Sequence, residues 1–135
     1  MPGGAPWRSA RVCTTIRAMG RTVVIVDDHE QFRRSVRKLL ELEGFSVVGE
    51  AADGAAARAV VEDVRPDLVL VDVGLPDTSG FDLAGTLSAT SRVVLVSNRD
   101  PADVVGRVER CGAVAFIGKD ALTGEAIEAA LEASS

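Results

Sequence analysis

The sequence predicts an α/β fold in which five parallel strands form one doubly wound sheet with helices on both faces. Short apolar runs rich in β-branched residues alternate five times with segments whose apolar residues recur at helical spacing. A strand, a helix and a further strand in series form a right-handed crossover, which places successive strands parallel in one sheet. The chain of 135 residues suits a single domain with one hydrophobic core.

Three strands and two helices are predicted in the first half of the chain. The strands are apolar runs of the kind found in buried parallel sheets: Thr22–Val26, Phe45–Gly49 and Leu68–Val71. The first helix carries one apolar stripe and closes at a glycine that tolerates a left-handed backbone: Phe32, Val36, Leu39, Leu40 and Gly44. The second helix is predicted to begin at the N-cap Asp53 and to stop at Pro66, with a stripe of Ala59, Val60 and Val64.

Two strands and three helices are predicted in the second half. A short helix is expected over about Phe81–Ser88, and the strands are Val93–Val96 and Val114–Ile117. The dipeptide Asp100-Pro101 predicts a helix start, since a cap followed by proline is typical of a first turn. The apolar stripe of that helix is Val104, Val108 and Cys111, and the last helix opens at Thr123 with Ala126, Ile127, Ala130 and Leu131.

Charge and composition limit the function classes. The chain has a net charge of −5. The first twenty residues contain Arg8, Arg11 and Arg17 and no acid, a charge of +3, so the remaining residues carry a net charge of −8. An acidic domain repels nucleic acid phosphates, so direct nucleic acid binding is not expected. No apolar run is long enough to span a membrane, and Cys13 and Cys111 stand in no paired spacing, which is typical of a reducing, cytoplasmic compartment.

We expect residues 1–20 to form a flexible arm, because they show neither helical nor strand periodicity, and residues 21–135 to form the domain. The printed sequence ends directly after the fifth predicted helix, so no separate output domain is expected.

Residues that can carry chemistry follow four of the five predicted strands. Asp27 and Asp28 follow the first, Asp72 the third, Ser97 the fourth and Lys119 the fifth. Ligands of open parallel sheets bind at the carboxyl ends of the strands, so these side chains should converge at one edge. A pair of like charges 4 Å apart repels by about 4 kcal/mol at an effective dielectric constant of ~20. Lys119 supplies one positive charge, and a hard divalent cation, most naturally Mg²⁺, would supply the rest.

This set of groups suits phosphoryl transfer to a carboxylate. A carboxylate can act as a nucleophile and form an aspartyl-phosphate. The lysine and the serine would then hold phosphoryl oxygens, because such a reaction asks mainly for positioning and charge stabilisation.

Four segments resemble the receiver domain of two-component response regulators: VVIVDDHEQFRRSVRKLL, LVLVDVGLPDTSGFDL, VVLVSN and GAVAFIGKD. These segments are spread from residue 23 to residue 120, so the resemblance extends over nearly all of residues 21–131. The pairing of VDDH with GKD is similar to receivers that are usually attached to helix-turn-helix output domains. The resemblance implies a flavodoxin-like sheet with strand order 2-1-3-4-5.

The resemblance also implies roles for individual residues. Asp72 would be the phosphoacceptor, Asp28 and Asp72 would bind Mg²⁺ directly, and Asp27 would act mostly through water. The backbone carbonyl of Gly74 would add a metal ligand. Ser97 and Lys119 would bind the phosphoryl group, and Phe116 would be the aromatic switch residue that changes rotamer as Ser97 moves. The alternative for Phe116 is a plain core position, since aromatic residues are usually buried.

Partners follow from the resemblance too. A histidine kinase or phosphotransfer protein would donate the phosphoryl group, and a downstream protein that the sequence does not name would read it. The surface built from the fourth helix, fifth strand and fifth helix would serve as a homodimer or docking surface. Four basic residues of the first helix form either a solvated face or a kinase-docking face: Arg33, Arg34, Arg37 and Lys38.

The sequence departs from the family pattern at several positions. Asp120 follows Lys119 where the family usually has proline after a cis bond, so we expect either a trans bond or a strained loop here. Asn98 stands where a small residue is usual, and Gly74 and Arg99 stand at positions that tune the dephosphorylation rate. We expect a rate unlike that of a fast chemotaxis-type receiver. His29 is expected to be a solvent-exposed residue at a helix start.

Two other functions are alternatives. The first is a degenerate receiver that binds partners without phosphorylation; the complete set of site residues counts against it, while the unusual residues Asn98 and Asp120 leave it open. The second is a phosphatase with an aspartyl nucleophile. Such enzymes usually carry a second Asp two residues after the nucleophile, and that position is Gly74 here. The chain is therefore expected to be a signalling module, not an enzyme acting on other substrates.

Overall fold

A computed structural model describes residues 21–98 and 105–133 of the chain. The predicted arm at residues 1–20, the predicted helix start at Asp100-Pro101, and the residues Arg99 and Val104 lie outside the described residues. In the part of the chain that is described, no helix is long and apolar enough to cross a membrane.

Strands and helices alternate along the chain. The strands are β1 (Thr22–Val26), β2 (Ser46–Ala51), β3 (Leu68–Asp72), β4 (Arg92–Ser97) and β5 (Ala115–Gly118). The helices are α1 (Glu30–Leu42), α2 (Gly54–Val64), α3 (Gly80–Leu87), α4 (Val105–Cys111) and α5 (Gly124–Ala133), with a 3₁₀ turn over Lys119–Ala121. The fold class predicted from the periodicity is confirmed.

The five strands form one parallel sheet in the order β2-β1-β3-β4-β5, as predicted. Alternate residues of each strand face opposite sides, so Val24 and Val26 join one apolar cluster while Val23 and Ile25 join the other. The first cluster is covered by α2, α3 and α4, and the second by α1 and α5. Helices therefore cover both faces, and β3, fully buried along its length, lies at the centre of the sheet.

Helix ends follow local sequence signals. Asp53 caps α2 by accepting a hydrogen bond from the backbone N–H of Ala56 at 2.8 Å, as predicted. Thr123 caps α5 in the same way through the N–H of Ala126, at 3.0 Å. The left-handed backbone conformation of Gly44, with φ of 99°, lets the chain leave α1 for β2.

Two local expectations need correction. The second strand begins at Ser46, not Phe45, because the N–H of Phe45 still donates to the carbonyl of Leu40 and so completes the end of α1. In α2, Gly54, Ala57 and Val61 are the buried positions, whereas the predicted stripe residue Ala59 is exposed. Residues four apart share a helix face, and the face of α2 that meets the sheet is the one that contains Ala57.

Close packing behind the end of β3 requires a glycine at position 80. A Cβ atom there would overlap the carbonyl oxygen of Asp72 and lie 2.7 Å from the Cα of Val73, both of which are backbone atoms. The N–H of Gly80 also donates to the carbonyl of Val73 at 2.8 Å. The first turn of α3 is thus pressed directly against the backbone that carries Asp72.

Gly80→Ala is therefore expected to destabilise the fold by about 1–3 kcal/mol, the usual cost of an added methyl group in a packed site. Urea unfolding followed by circular dichroism measures it. Gly85→Ala on the exposed face of α3, where an added Cβ has only ordinary contacts, is the matched control and should be neutral or slightly stabilising. Equal stability of Gly80→Ala and wild type would contradict the packing account.

Candidate functional site

The predicted acidic residues meet at the carboxyl edge of the sheet. Asp27 directly follows β1 and is fully buried, and Asp72 ends β3 with only 6% of its surface exposed. Asp28 and His29 follow in the exposed turn that leads into α1. One ligand atom from each of these four residues lies within 4.8 Å of the others. The residues that the sequence placed at two different strand ends thus form one cluster.

Lys119 brings a positive charge into this cluster from the end of β5. Its Nζ lies 2.6 Å from Asp27 Oδ2 and 3.6 Å from Asp72 Oδ1, and its side chain is only 11% exposed. The ammonium also lies 4.3 Å from the centre of the Phe32 ring, a cation–π contact from α1. No cis peptide bond occurs among the described residues, so the Lys119–Asp120 bond is trans, one of the two expected outcomes.

The pKa of the Asp72 carboxyl is raised above its ordinary value. Burial is the largest cause, and repulsion from Asp27 adds to it, while Lys119 and the backbone N–H of Gly74 act in the opposite direction. The surroundings therefore disfavour the ionised form of Asp72. Additional positive charge at this edge would stabilise that form.

Ser97 and Phe116 are placed by strand register. Asp72 pairs with Val96 on β4, so Ser97 comes one residue further along, at the same edge as Asp72. Ser97 is 5% exposed and pairs with Gly118 on β5, directly before Lys119. Phe116 pairs with Leu95, is half-buried and packs against the α2–α3–α4 side of the core. Asn98 is exposed at the end of β4.

The loop between β3 and α3 is held in place by contacts at both ends. Gly74 forms an isolated antiparallel bridge with Ser79, which closes the loop on itself. Asp77 accepts hydrogen bonds from the backbone N–H groups of Gly54 at 2.8 Å and Ala55 at 3.1 Å, at the first turn of α2. The loop that carries Gly74 is thereby tied to a helix that lies far from it in sequence.

The pKa of Asp77 lies below its ordinary value. The main cause is the hydrogen bond from the backbone N–H of Gly54, and the N–H of Ala55 adds to it. A lowered folded pKa means that the contribution to stability is complete above the ordinary value of 3.8 and is lost as the pH falls through the folded value. Asp77→Ala should therefore unfold at lower urea concentration than wild type at pH 7, and the difference should shrink in acid below that window. Urea titrations at several pH values measure it, with Asp63→Asn, an exposed acid near the end of α2, as the control. A stability difference that does not change with pH would rule out the carboxylate as its source.

The sequence did not predict the role of Asp77, nor the contacts made by the four basic residues of α1. Arg34 is exposed and pairs with Glu30, whereas Arg37 pairs with Glu41 and with Glu50 on β2. Arg33 is largely buried, with its side chain 16% exposed, and is not part of a solvated face. The partners of Arg33 lie outside α1, so residue spacing within the helix does not predict these contacts.

The donor set fits a hard divalent cation. Carboxylate oxygens are the ligands that Mg²⁺ prefers, and three carboxylates within reach of one another need more positive charge than Lys119 supplies. The ring of His29, with Nδ1 3.1 Å from oxygens of both Asp27 and Asp28, stands at the exposed rim of the cluster. His29 is 69% exposed, as its position at the helix start predicted, although its contact with both acids was not foreseen.

Comparison with known proteins agrees with this arrangement. The sequence model of the response regulator receiver domain matches residues 23–132. The chain is 37% identical over 114 residues to the transcriptional regulatory protein NarL of Mycobacterium tuberculosis, covering 82% of this chain and 53% of NarL. The chain spans about half the length of the curated relatives it matches.

Solved structures show the same likeness. The signal receiver domain of NarL from Mycobacterium tuberculosis superposes with a TM-score of 0.74 at 34% identity, covering 85% of this chain and 96% of that domain. A two-component response regulator of the LuxR family from Aurantimonas sp. SI85-9A1 gives a TM-score of 0.74 at 27% identity, covering 83% of this chain and 82% of that one. The resemblance derived from the four sequence segments is confirmed.

Proposed function

The chain belongs to the family of response regulator receiver domains, and we propose that it accepts a phosphoryl group on the carboxylate of Asp72. Receiver domains are modules of two-component signalling, and membership in the family implies a histidine kinase as partner. The donor would be that kinase or a phosphotransfer protein. We propose residues 21–135 as the receiver domain, in line with the matched range of residues 23–132.

The observation that carries the proposal is the position of Asp72. Its carboxylate ends the central strand, lies in one cluster with Asp27 and Asp28, and has the ammonium of Lys119 3.6 Å from one oxygen. A carboxylate in such a setting is a nucleophile whose surroundings are arranged around added negative charge.

Transfer moves the phosphoryl group from a histidine of the donor to Asp72. A carboxylate oxygen of Asp72 attacks phosphorus and forms a new P–O bond. The bond between phosphorus and the donor's histidine nitrogen breaks, and its electron pair leaves with that nitrogen, which takes up a proton. Lys119 neutralises charge on one phosphoryl oxygen, and the Ser97 hydroxyl donates a hydrogen bond to another.

The metal requirement follows from the same residues. Asp28 and Asp72, with Asp27 through water and the backbone carbonyl of Gly74, would hold Mg²⁺. When bound, Mg²⁺ supplies the positive charge that offsets the three acids and the incoming phosphoryl oxygens. The raised pKa of Asp72 supports this need, because burial and Asp27 already disfavour its charge.

Signal output would begin at Ser97. Movement of Ser97 toward the phosphoryl group would free space beside β5, and Phe116, half-buried two residues before Gly118, would change rotamer to follow it. The surface of α4, β5 and α5 would then change and dock a downstream protein or a second copy of the chain. We propose that this acidic domain does not itself contact nucleic acid, because its charge repels phosphates. The matched relative NarL is named as a transcriptional regulatory protein, and the chain covers 53% of it.

Gly74, Asn98 and Arg99 would set how long the phosphoryl group lasts. Gly74 and Asn98 are both exposed beside the site, and Arg99 lies outside the described residues. Their side chains, or in Gly74 the lack of one, govern the approach of the water that hydrolyses the acyl phosphate.

The experiment that tests the proposal is incubation of the chain with phosphoramidate, a small phosphodonor, with and without Mg²⁺, followed by intact mass. The expected result is a gain of one phosphoryl group that requires Mg²⁺. A chain that gains nothing with this donor or with acetyl phosphate would instead be a receiver that binds partners without phosphorylation.

A further inference from the structure

Arg33 connects the turn after β1, which carries Asp27 and Asp28, to the edge strand β2. From α1 its Nη1 donates to the backbone carbonyl of Asp27 at 2.5 Å, and its Nε donates to Glu50 Oε1 at 3.0 Å. Both side chains are largely buried, with 16% of Arg33 and 25% of Glu50 exposed. We call this pair the Arg33–Glu50 clamp. It joins α1, β2 and the turn after β1.

The end of β2 holds Asp27 from two directions. The N–H of Asp27 donates to the carbonyl of Ala51 at 3.0 Å, and the carbonyl of Asp27 accepts from Arg33, which is anchored on Glu50, the neighbour of Ala51. Arg37 reinforces the anchor by donating to Glu50 Oε2 at 2.7 Å. The second strand, which supplies no side chain to the site, thus supports it through this network.

The clamp bears directly on Asp28. The carbonyl of Asp27 belongs to the same planar peptide unit as the N–H of Asp28, so fixing one end of the unit fixes the other. The Asp28 carboxylate itself is 37% exposed, and among the described residues the ion-pair contact found for it is with Nδ1 of the mostly exposed His29 ring, at 3.1 Å. The direction in which Asp28 points therefore depends chiefly on the backbone that carries it.

We propose that Arg33 is a positioning residue for the divalent-cation site, which orients Asp27 and Asp28 through the Asp27 carbonyl, and that Glu50 fixes Arg33 in the orientation this requires. The inference rests on the proposed function in one respect, namely that the acidic cluster binds Mg²⁺. In this role Arg33 would act through the Asp27 carbonyl and would not itself bind the metal or the phosphoryl group. Partners that hold metal ligands in place typically change metal affinity by about 10–100-fold when they are removed.

The sign of the effect separates positioning from simple charge. Arg33 is a cation in contact with the backbone of Asp27, so by electrostatic repulsion alone its removal should strengthen Mg²⁺ binding. Loss of positioning should weaken Mg²⁺ binding instead. Arg34 lies on the same helix, is 75% exposed, and pairs only with Glu30 among the described residues. Arg34→Met therefore makes the same charge change without touching the clamp.

The test is isothermal titration of the full chain with MgCl₂ for wild type, Arg33→Met, Arg33→Lys, Glu50→Gln and Arg34→Met. We expect Mg²⁺ affinity to fall about tenfold in Arg33→Met. It should also fall in Arg33→Lys, because a single ammonium keeps the charge but cannot reach both partners as the guanidinium fork does. Glu50→Gln should show a smaller loss in the same direction. Arg34→Met should be unchanged or slightly tighter.

The Mg²⁺ dependence of phosphorylation by phosphoramidate adds a readout that a merely structural role would not move. In Arg33→Met the Mg²⁺ concentration for half-maximal rate should rise about tenfold, while the rate at saturating Mg²⁺ approaches that of wild type. Circular dichroism establishes that each variant is folded. If Arg33→Met does not fold, Arg33→Lys carries the same test, because it keeps the charge and removes the two-partner contact.

Unchanged Mg²⁺ affinity in folded Arg33 and Glu50 variants, beside a wild type that binds Mg²⁺, would overturn the inference and leave the proposed function standing. Tighter binding in Arg33→Met would overturn it as well, because only the charge would then matter. A wild type that binds no Mg²⁺ at all would overturn both the proposed function and this inference.

Discussion

Asp72→Asn is expected to take up no phosphoryl group under conditions in which wild type is fully labelled. The amide that replaces the carboxylate is not a nucleophile at neutral pH, and no other acid of the cluster ends the central strand. Incubation with phosphoramidate and Mg²⁺ followed by intact mass measures the loss. Labelling of Asp72→Asn at the wild-type rate would show that another residue is the acceptor.

The same variant should be more stable than wild type in the absence of metal. The folded pKa of Asp72 is raised, chiefly by burial and then by Asp27, so the folded state binds its proton more tightly than the unfolded chain does. Stability is then lost as the pH rises from the ordinary value of 3.8 through the folded value. In EDTA at pH 7, Asp72→Asn should therefore unfold at higher urea concentration than wild type, and the gain should vanish in acid below that window.

Mg²⁺ should reduce this difference in stability, since a cation that binds only the folded state stabilises it by mass action. Wild type should gain more from Mg²⁺ than Asp72→Asn, which lacks one carboxylate ligand. Equal gains in the two proteins would place the cation elsewhere.

Lys119→Met is expected to slow phosphorylation on the order of 100-fold, the usual cost of removing one preorganised donor to developing negative charge. The methionine keeps an apolar side chain of similar length over the Phe32 ring but cannot bind a phosphoryl oxygen. Single-turnover labelling at saturating Mg²⁺ measures the rate. Lys38→Met, on an exposed position of α1, is the control and should match wild type.

Metal affinity gives Lys119→Met an independent signature. The ammonium lies 2.6 Å from Asp27 Oδ2 and so offsets charge that a cation would otherwise offset. Its removal should leave Mg²⁺ binding intact or tighter while transfer slows. A parallel loss of Mg²⁺ binding and of rate would mean that Lys119 supports the structure of the site and not the phosphoryl group.

Much of the site could be predicted from the sequence because it lies at strand ends. A parallel sheet collects its carboxyl ends at one edge, so finding Asp27, Asp72 and Lys119 after three apolar runs was enough to bring them together. The helix caps Asp53 and Thr123 were likewise readable, because a cap depends on residues within the same turn.

The supporting contacts could not be predicted in this way. Arg33 and Glu50 are 17 residues apart, and Asp77 and Gly54 are 23 apart, with no periodic spacing between the members of either pair. In the sequence, Arg33 and its neighbour Arg34 cannot be told apart. They differ only in the folded protein, where the packing of α1 against β2 buries Arg33 beside Glu50 and leaves Arg34 in an exposed ion pair. The stripe predicted for α2 was wrong at Ala59 for a different reason: alanine and valine occur on several faces of this helix, so the sequence does not single out the face of Ala57 and Val61 that meets the sheet.

The most direct test of the central claim is to locate the phosphoryl group chemically. The labelled protein is reduced with borohydride, which converts the side chain of an aspartyl-phosphate to an alcohol, and is then digested and mapped by peptide mass spectrometry. We predict one modified site, at position 72, present only when Mg²⁺ was supplied. A modification at Asp27 or Asp28, or a phosphoryl group that resists reduction because it lies on Ser97 or His29, would contradict the assignment of Asp72 as the acceptor.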